Sequence, residues 1–106
     1  MEHIIQTCYV LLDIKTKPEH FQEMKDFLTD AMPTALSFEG CQGVDLVENL
    51  DEAGNLLFWE RWDSRDHYEK YYAFREASGV LEAFSDMLTE EPAFRFFESY
   101  DYPLNK

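Results

Sequence analysis

The stretch Leu56–Arg75, LLFWERWDSRDHYEKYYAFR, decides the fold, because a strand-like run with two tryptophans passes directly into a helix-like run with three tyrosines. On an extended chain successive side chains point to opposite faces. Leu56, Phe58, Glu60 and Trp62 therefore share one face, and Leu57, Trp59, Arg61 and Asp63 the other. Neither parity is a plain solvent face, so both sides of the sheet need a cover. Asp63 or Ser64 suits the cap of the following helix, after which Tyr68, Tyr71, Tyr72 and Arg75 fall at i, i+3, i+4 and i+7 on one stripe. That stripe and one strand face are expected to enclose an aromatic space. A plain packed core would use the same residues in the same order.

Upstream, the polar run Asp51–Asn55 (DEAGN) reads as a hairpin loop and Cys41–Leu50 (CQGVDLVENL) as the strand before it. Further back, Cys8, Val10, Leu12, Ile14 and Thr16 alternate with Tyr9, Leu11, Asp13 and Lys15, a first strand whose aliphatic parity faces helices. Pro18 suits a first helical position. Phe21, Met24, Phe27, Leu28, Ala31, Met32, Ala35 and Leu36 then recur at helical spacing as far as Gly40, and Pro33 is expected to kink or split that helix. Downstream, a helix spans about Ser64 to Ala77, Gly79 interrupts it, and Val80, Leu81, Phe84, Met87 and Leu88 resume the spacing before Pro92. Ala93 to Tyr100 reads as the last strand, ended near Pro103.

The order β-α-β-β-α-β predicts a ferredoxin-like α+β fold of one domain over residues 1–106, with helices on one face of a four-stranded antiparallel sheet. Tyr9, Leu11, Leu57, Trp59 and Phe97 sit on parities that cannot all face those helices. Monomers rarely expose large apolar patches. The expected cover is the sheet of a second copy, which makes the chain a homodimer.

Nine Lys and Arg against 22 Asp and Glu give a net charge of -13, which repels nucleic acid and anionic membranes. The same field disfavours anionic ligands and favours a neutral or apolar substrate. Hydrophobic residues at 45% and aromatics at 16% place this charge on a folded acidic protein rather than a disordered one. No run approaches the roughly 20 apolar residues of a membrane span. The start MEHIIQTCYVLLDIK has no basic opening, and Asp13 cuts its longest apolar run, so no signal peptide is read there. Cys8 and Cys41 show no CxxC spacing and read as free thiols, and the cytoplasm is the expected compartment.

His3, His20 and His67 are far apart in sequence, and Asp63, four residues before His67, reads as a helix-start interaction rather than a metal site. GxSxG and HExxH are absent, and Gly40-Cys41-Gln42-Gly43 opens a strand rather than a helix, the reverse of a phosphate-cradling loop. No metal and no cofactor are expected. Three residues remain for chemistry: Trp62 as a flat apolar wall, His67 as a base near neutrality, and Tyr71 as a donor to a developing oxyanion. Phe58, Glu60, Tyr68, Tyr72 and Arg75 are the expected substrate contacts; Arg75 and Glu60 either pair across the aromatic space or both lie at the surface.

Lys17-Pro18-Glu19 followed by Phe21, Pro33-Thr34-Ala35-Leu36 through Glu39-Gly40-Cys41-Gln42-Gly43, and Glu60-Arg61-Trp62-Asp63-Ser64 together resemble the antibiotic-biosynthesis monooxygenase family across nearly the whole chain. The resemblance implies a small dimeric α+β barrel. Members that oxygenate phenols or quinols do so without metal or flavin, the substrate anion itself passing an electron to dioxygen. It thus implies a cofactor-independent monooxygenase acting on a small aromatic, quinol or polyketide-like substrate. Trp62 matches the family's strand tryptophan. Where many members place a histidine, nine residues later, this chain has Tyr71, which favours the alternative of a non-catalytic dimeric module binding an aromatic metabolite. The haem-degrading branch is disfavoured, since the first strand carries no Asn and the iron-ligating histidine is replaced.

Overall fold

The computed structural model describes residues 7–99, so His3 and the Tyr100 end of the last strand lie outside the described residues. Strand β1, Cys8–Lys15, leads through a 3-10 turn at Pro18–His20 into helix α1, Phe21–Ser37. Strands β2, Cys41–Glu48, and β3, Asn55–Trp62, form the hairpin. Helices α2, Arg65–Ala77, and α3, Val80–Asp86, precede strand β4, Ala93–Glu98. The sheet order is β2-β3-β1-β4 with every neighbouring pair antiparallel, the ferredoxin-like arrangement.

Local chemistry sets the element boundaries. Pro18 occupies the start of the helical segment, where its missing N–H costs nothing. Ser64, not Asp63, caps α2: its Oγ accepts from the His67 backbone N–H at 3.1 Å, while Asp63 Oδ1 accepts from Gln42 Nε2 at 2.9 Å. Gly79, at φ 80°, closes α2 and opens α3, a left-handed conformation that glycine adopts without strain. Of the kink or split expected at Pro33, the split does not occur: α1 runs without interruption from Phe21 to Ser37. Pro33 and Thr29, whose carbonyl loses its helical partner, are both exposed, the setting in which a freed carbonyl costs least.

One face of the sheet carries the core in two halves. An aliphatic half gathers Ile14, Met24, Leu28, Leu56, Met87 and Leu88 with Phe84. An aromatic half gathers Val10, Cys8, Trp62 and Tyr68, joined by Phe38, Tyr71, Tyr72 and Phe96 at its edge. The cross-strand register puts Leu11 opposite Trp59 and Tyr9 opposite Phe97 on the other face. There the Tyr9 and Trp59 rings lie 5.6 Å apart and the Trp59 and Phe97 rings 6.0 Å. Val47 and Phe97 on this face are 46% and 37% exposed, so among the described residues no helix covers it.

Candidate active site

Between the helices and the sheet, where the two halves of the core meet, lies a cavity of about 490 Å³. Its floor is β3, through Phe58 and Glu60, with Leu12 of β1 beside them. Helix α2 supplies Tyr68, Tyr71, Tyr72 and Arg75, the stripe that its i, i+3, i+4, i+7 spacing creates. Phe27, Leu28 and Ala31 of α1 and Val80, Leu81 and Phe84 of α3 complete the apolar walls, with Ser85 the one polar residue from α3. Glu91, Pro92 and Phe94 close the end near β4.

Six of the eight residues singled out from sequence thus meet at one cavity: Phe58, Glu60, Tyr68, Tyr71, Tyr72 and Arg75. Trp62 and His67 stand outside its lining. Trp62 is fully buried behind the wall, its ring 5.2 Å from that of Tyr71 and 5.6 Å from that of Tyr68. Its indole N–H donates to Glu60 Oε1 at 2.8 Å. The His67 ring turns the other way, with Nδ1 2.7 Å from Ser64 Oγ and its carbons against Gly40. Gly40 has φ 91°, and a Cβ there would run into that ring, so this glycine is required twice over.

Arg75 does not pair with Glu60. Its Nε donates to Tyr71 Oη at 2.7 Å and its Nη2 to the Ala31 carbonyl at 2.8 Å, strapping α2 to α1 across the cavity. This arrangement has a chemical consequence, because a phenol oxygen that accepts from a guanidinium keeps its own proton free to donate elsewhere. Burial pushes the Tyr71 hydroxyl above its ordinary value, against the hydrogen bond and charge of Arg75 that pull it down, so Tyr71 stays protonated as a donor. Burial raises Tyr68 as well.

Glu60 is the anomaly of the site. Only 4% exposed, it sits on β3 between Val10 of β1 and Val44 of β2, with a single side-chain hydrogen bond among the described residues, from Trp62. Burial pushes its carboxyl up to about 7, against the Trp62 hydrogen bond and the more distant Arg75 charge, which both lower it. The signal for this was present in the sequence as the one carboxylate on the parity of Leu56, Phe58 and Trp62. The contributions of α1 and α3 carried no such signal, since their cavity residues read as ordinary core. Among the described residues no three His, Cys, Asp or Glu side chains are grouped to hold a metal ion. Nor is any helix among them long and apolar enough to cross a membrane.

A four-stranded antiparallel sheet with helices on one face and an aromatic-walled cavity between the layers defines a class of small α+β proteins. The chain belongs to the antibiotic biosynthesis monooxygenase family, whose sequence model matches residues 7–77. Solved structures share the fold at low identity. A conserved protein from Methanosarcina mazei Go1 superposes with a TM-score of 0.80 at 18% identity, covering 88% of this chain and 92% of that one. Rv0793 from Mycobacterium tuberculosis gives 0.80 at 20% identity, covering 92% and 98%. A Deinococcus radiodurans protein provisionally named an antibiotic biosynthesis monooxygenase gives 0.79 at 17%, covering 90% and 94%. No protein of curated function is a significant match.

Proposed function

We propose that this protein is a cofactor-independent monooxygenase of small phenols or quinols, working in the cytoplasm as a homodimer. The observation that carries the reading is the Arg75–Tyr71 hydrogen bond at the wall of an aromatic cavity, which leaves a phenol proton free to meet a substrate oxygen. Aromatic walls from Phe58, Tyr68 and Tyr72 suit a flat ring, and the net charge of -13 favours a substrate that arrives uncharged. In the overall reaction a phenol with a free ring C–H and one dioxygen give a quinone and one water. One oxygen atom enters at that carbon, the other leaves as water, and the ring supplies the electrons. The task left to the protein is to hold the ring, stabilise the anion and exclude bulk water.

Homodimer formation is supported by the uncovered strip of Tyr9, Leu11, Leu57, Trp59 and Phe97, which a second sheet of the same kind would bury. The two unpaired thiols, Cys8 and Cys41, suit a reducing compartment. Oxygen uptake with a panel of hydroquinones, together with product mass, tests the reaction: uptake that depends on the protein and persists with a chelator is expected. A second reading, a module that binds an aromatic metabolite without turning it over, draws on Tyr71 in the histidine position and on His67 lying away from the cavity. Tight binding of hydroquinones with no oxygen uptake would select it.

A further inference from the structure

The buried carboxylate is costly, and the fold needs its acceptor but not its charge. Glu60 occupies the middle of a central strand, flanked by valines, where a glutamine would complete the wall and still accept from Trp62 without desolvating an acid. None of the ion pairs among the described residues involves it. Its Oε1 is held by the Trp62 indole N–H at 2.8 Å, and no side-chain donor among the described residues occupies Oε2. The same indole packs 5.2 Å from the Tyr71 ring, so one rigid, fully buried side chain fixes the carboxylate and the phenol donor together.

Resting on the phenol-oxygenase reading of this cavity, we propose that Glu60 is its general base: Oε2 takes the proton of a phenol bound as the neutral acid, while Tyr71 donates to the phenolate oxygen. The substrate O–H bond breaks, its electron pair stays on the substrate oxygen, and the proton joins Glu60. That proton later leaves in the product water, which restores the carboxylate. The substrate class follows, namely aromatics whose reactive hydroxyl is un-ionised in solution, since an anion entering beside a carboxylate is repelled. Trp62 is a positioning residue that acts through Glu60.

The surroundings of Glu60 support the step. From α2 it is faced by Tyr68, Tyr71, Tyr72 and Arg75, and from the start of β2 by Cys41. Glu91 lines the same cavity, while α1, α3 and β1 contribute no titratable side chain to its lining. Burial raises the carboxyl to about 7, where a base is close to balanced between its two forms at neutral pH.

The test uses 4-nitrophenol, whose phenolate is yellow, as a bound probe in the full chain. In the wild type the probe and Glu60 titrate as a coupled pair, and the yellow band rises in two steps with pH. Glu60→Gln keeps an acceptor for Trp62 and is expected to give one step, with kcat/KM on an oxygenated hydroquinone down about a hundredfold to ten-thousandfold. Trp62→Phe removes the N–H that lowers the carboxyl, so its lower step moves to higher pH, and this variant decides the matter if Glu60→Gln fails to fold. Identical titrations in wild type and Glu60→Gln, an unmoved lower step in Trp62→Phe, or no probe binding by the wild type would each overturn the assignment. Two-step titration without oxygen uptake on any hydroquinone would overturn the oxygenase reading alone and leave proton transfer to Glu60 standing.

Discussion

Replacing Glu60 with Gln makes the protein more stable at alkaline pH and leaves it nearly unchanged at acid pH. The folded protein raises this carboxyl from 4.5 to about 7. A tenfold change in proton affinity is worth about 1.4 kcal/mol, so the full shift amounts to on the order of 3 kcal/mol. Between those two values the folded chain holds a proton that the unfolded chain has released. Stability therefore falls as pH rises through this window and is flat, as far as Glu60 is concerned, above about 7. A neutral glutamine carries no such term. Urea unfolding of both proteins at about pH 5 and about pH 8, at one fixed protomer concentration because the stability of the proposed dimer would depend on it, isolates the effect. The other acidic residues among the 22 are common to both chains and cancel in the difference. The expected result is a gain of on the order of 3 kcal/mol for the variant that opens between the two pH values. Stabilities that run parallel with pH, within about 0.5 kcal/mol, would refute the claim that burial holds a proton on Glu60.

Tyr71→Phe removes the hydroxyl that accepts from Arg75 at 2.7 Å. It should cost about 1 kcal/mol in a urea titration but lower kcat/KM about a hundredfold to a thousandfold in the oxygen-uptake assay. Light scattering should return twice the 12.6 kDa chain mass, and Trp59→Lys, which puts a charge in the centre of the Tyr9–Trp59–Phe97 strip, should return the chain mass itself. Gly40→Ala should destabilise by about 1–3 kcal/mol, read as a lowered urea midpoint. Adding His67→Ala should recover part of that loss, because the steric conflict with the ring disappears while the strain of φ 91° remains.

The elements were legible because their signals are local. Alternation in Cys8–Lys15 and Asn55–Trp62, the polar loop between β2 and β3, and the tyrosine stripe of α2 each follow from the side-chain period of one strand or helix. Even the unpartnered face was visible, since Leu57 and Trp59 occupy the parity opposite Phe58 and Glu60. Whether Pro33 would split its helix was not legible, because the cost of a proline inside a helix depends on whether the freed carbonyl reaches water. In α1 both Pro33 and Thr29 are exposed residues.

Which chemistry-bearing residues come together was decided by the tertiary structure. The sequence by itself determined the sheet, the helix order and the stripe that Tyr68, Tyr71, Tyr72 and Arg75 share, since each depends only on spacing along one element, whereas the burial of Glu60 came from the packing of the layers. It left open which way the His67 ring and the Trp62 indole turn, because both rotamers satisfy the same periodicity. Packing against Gly40 and Ser64 draws His67 away from the cavity, and the hydrogen bond to Glu60 fixes Trp62 behind its wall. The proton affinity of Glu60 likewise belongs to the fold. It is the summed desolvation by strands and helices distant in sequence, a quantity that no single residue carries.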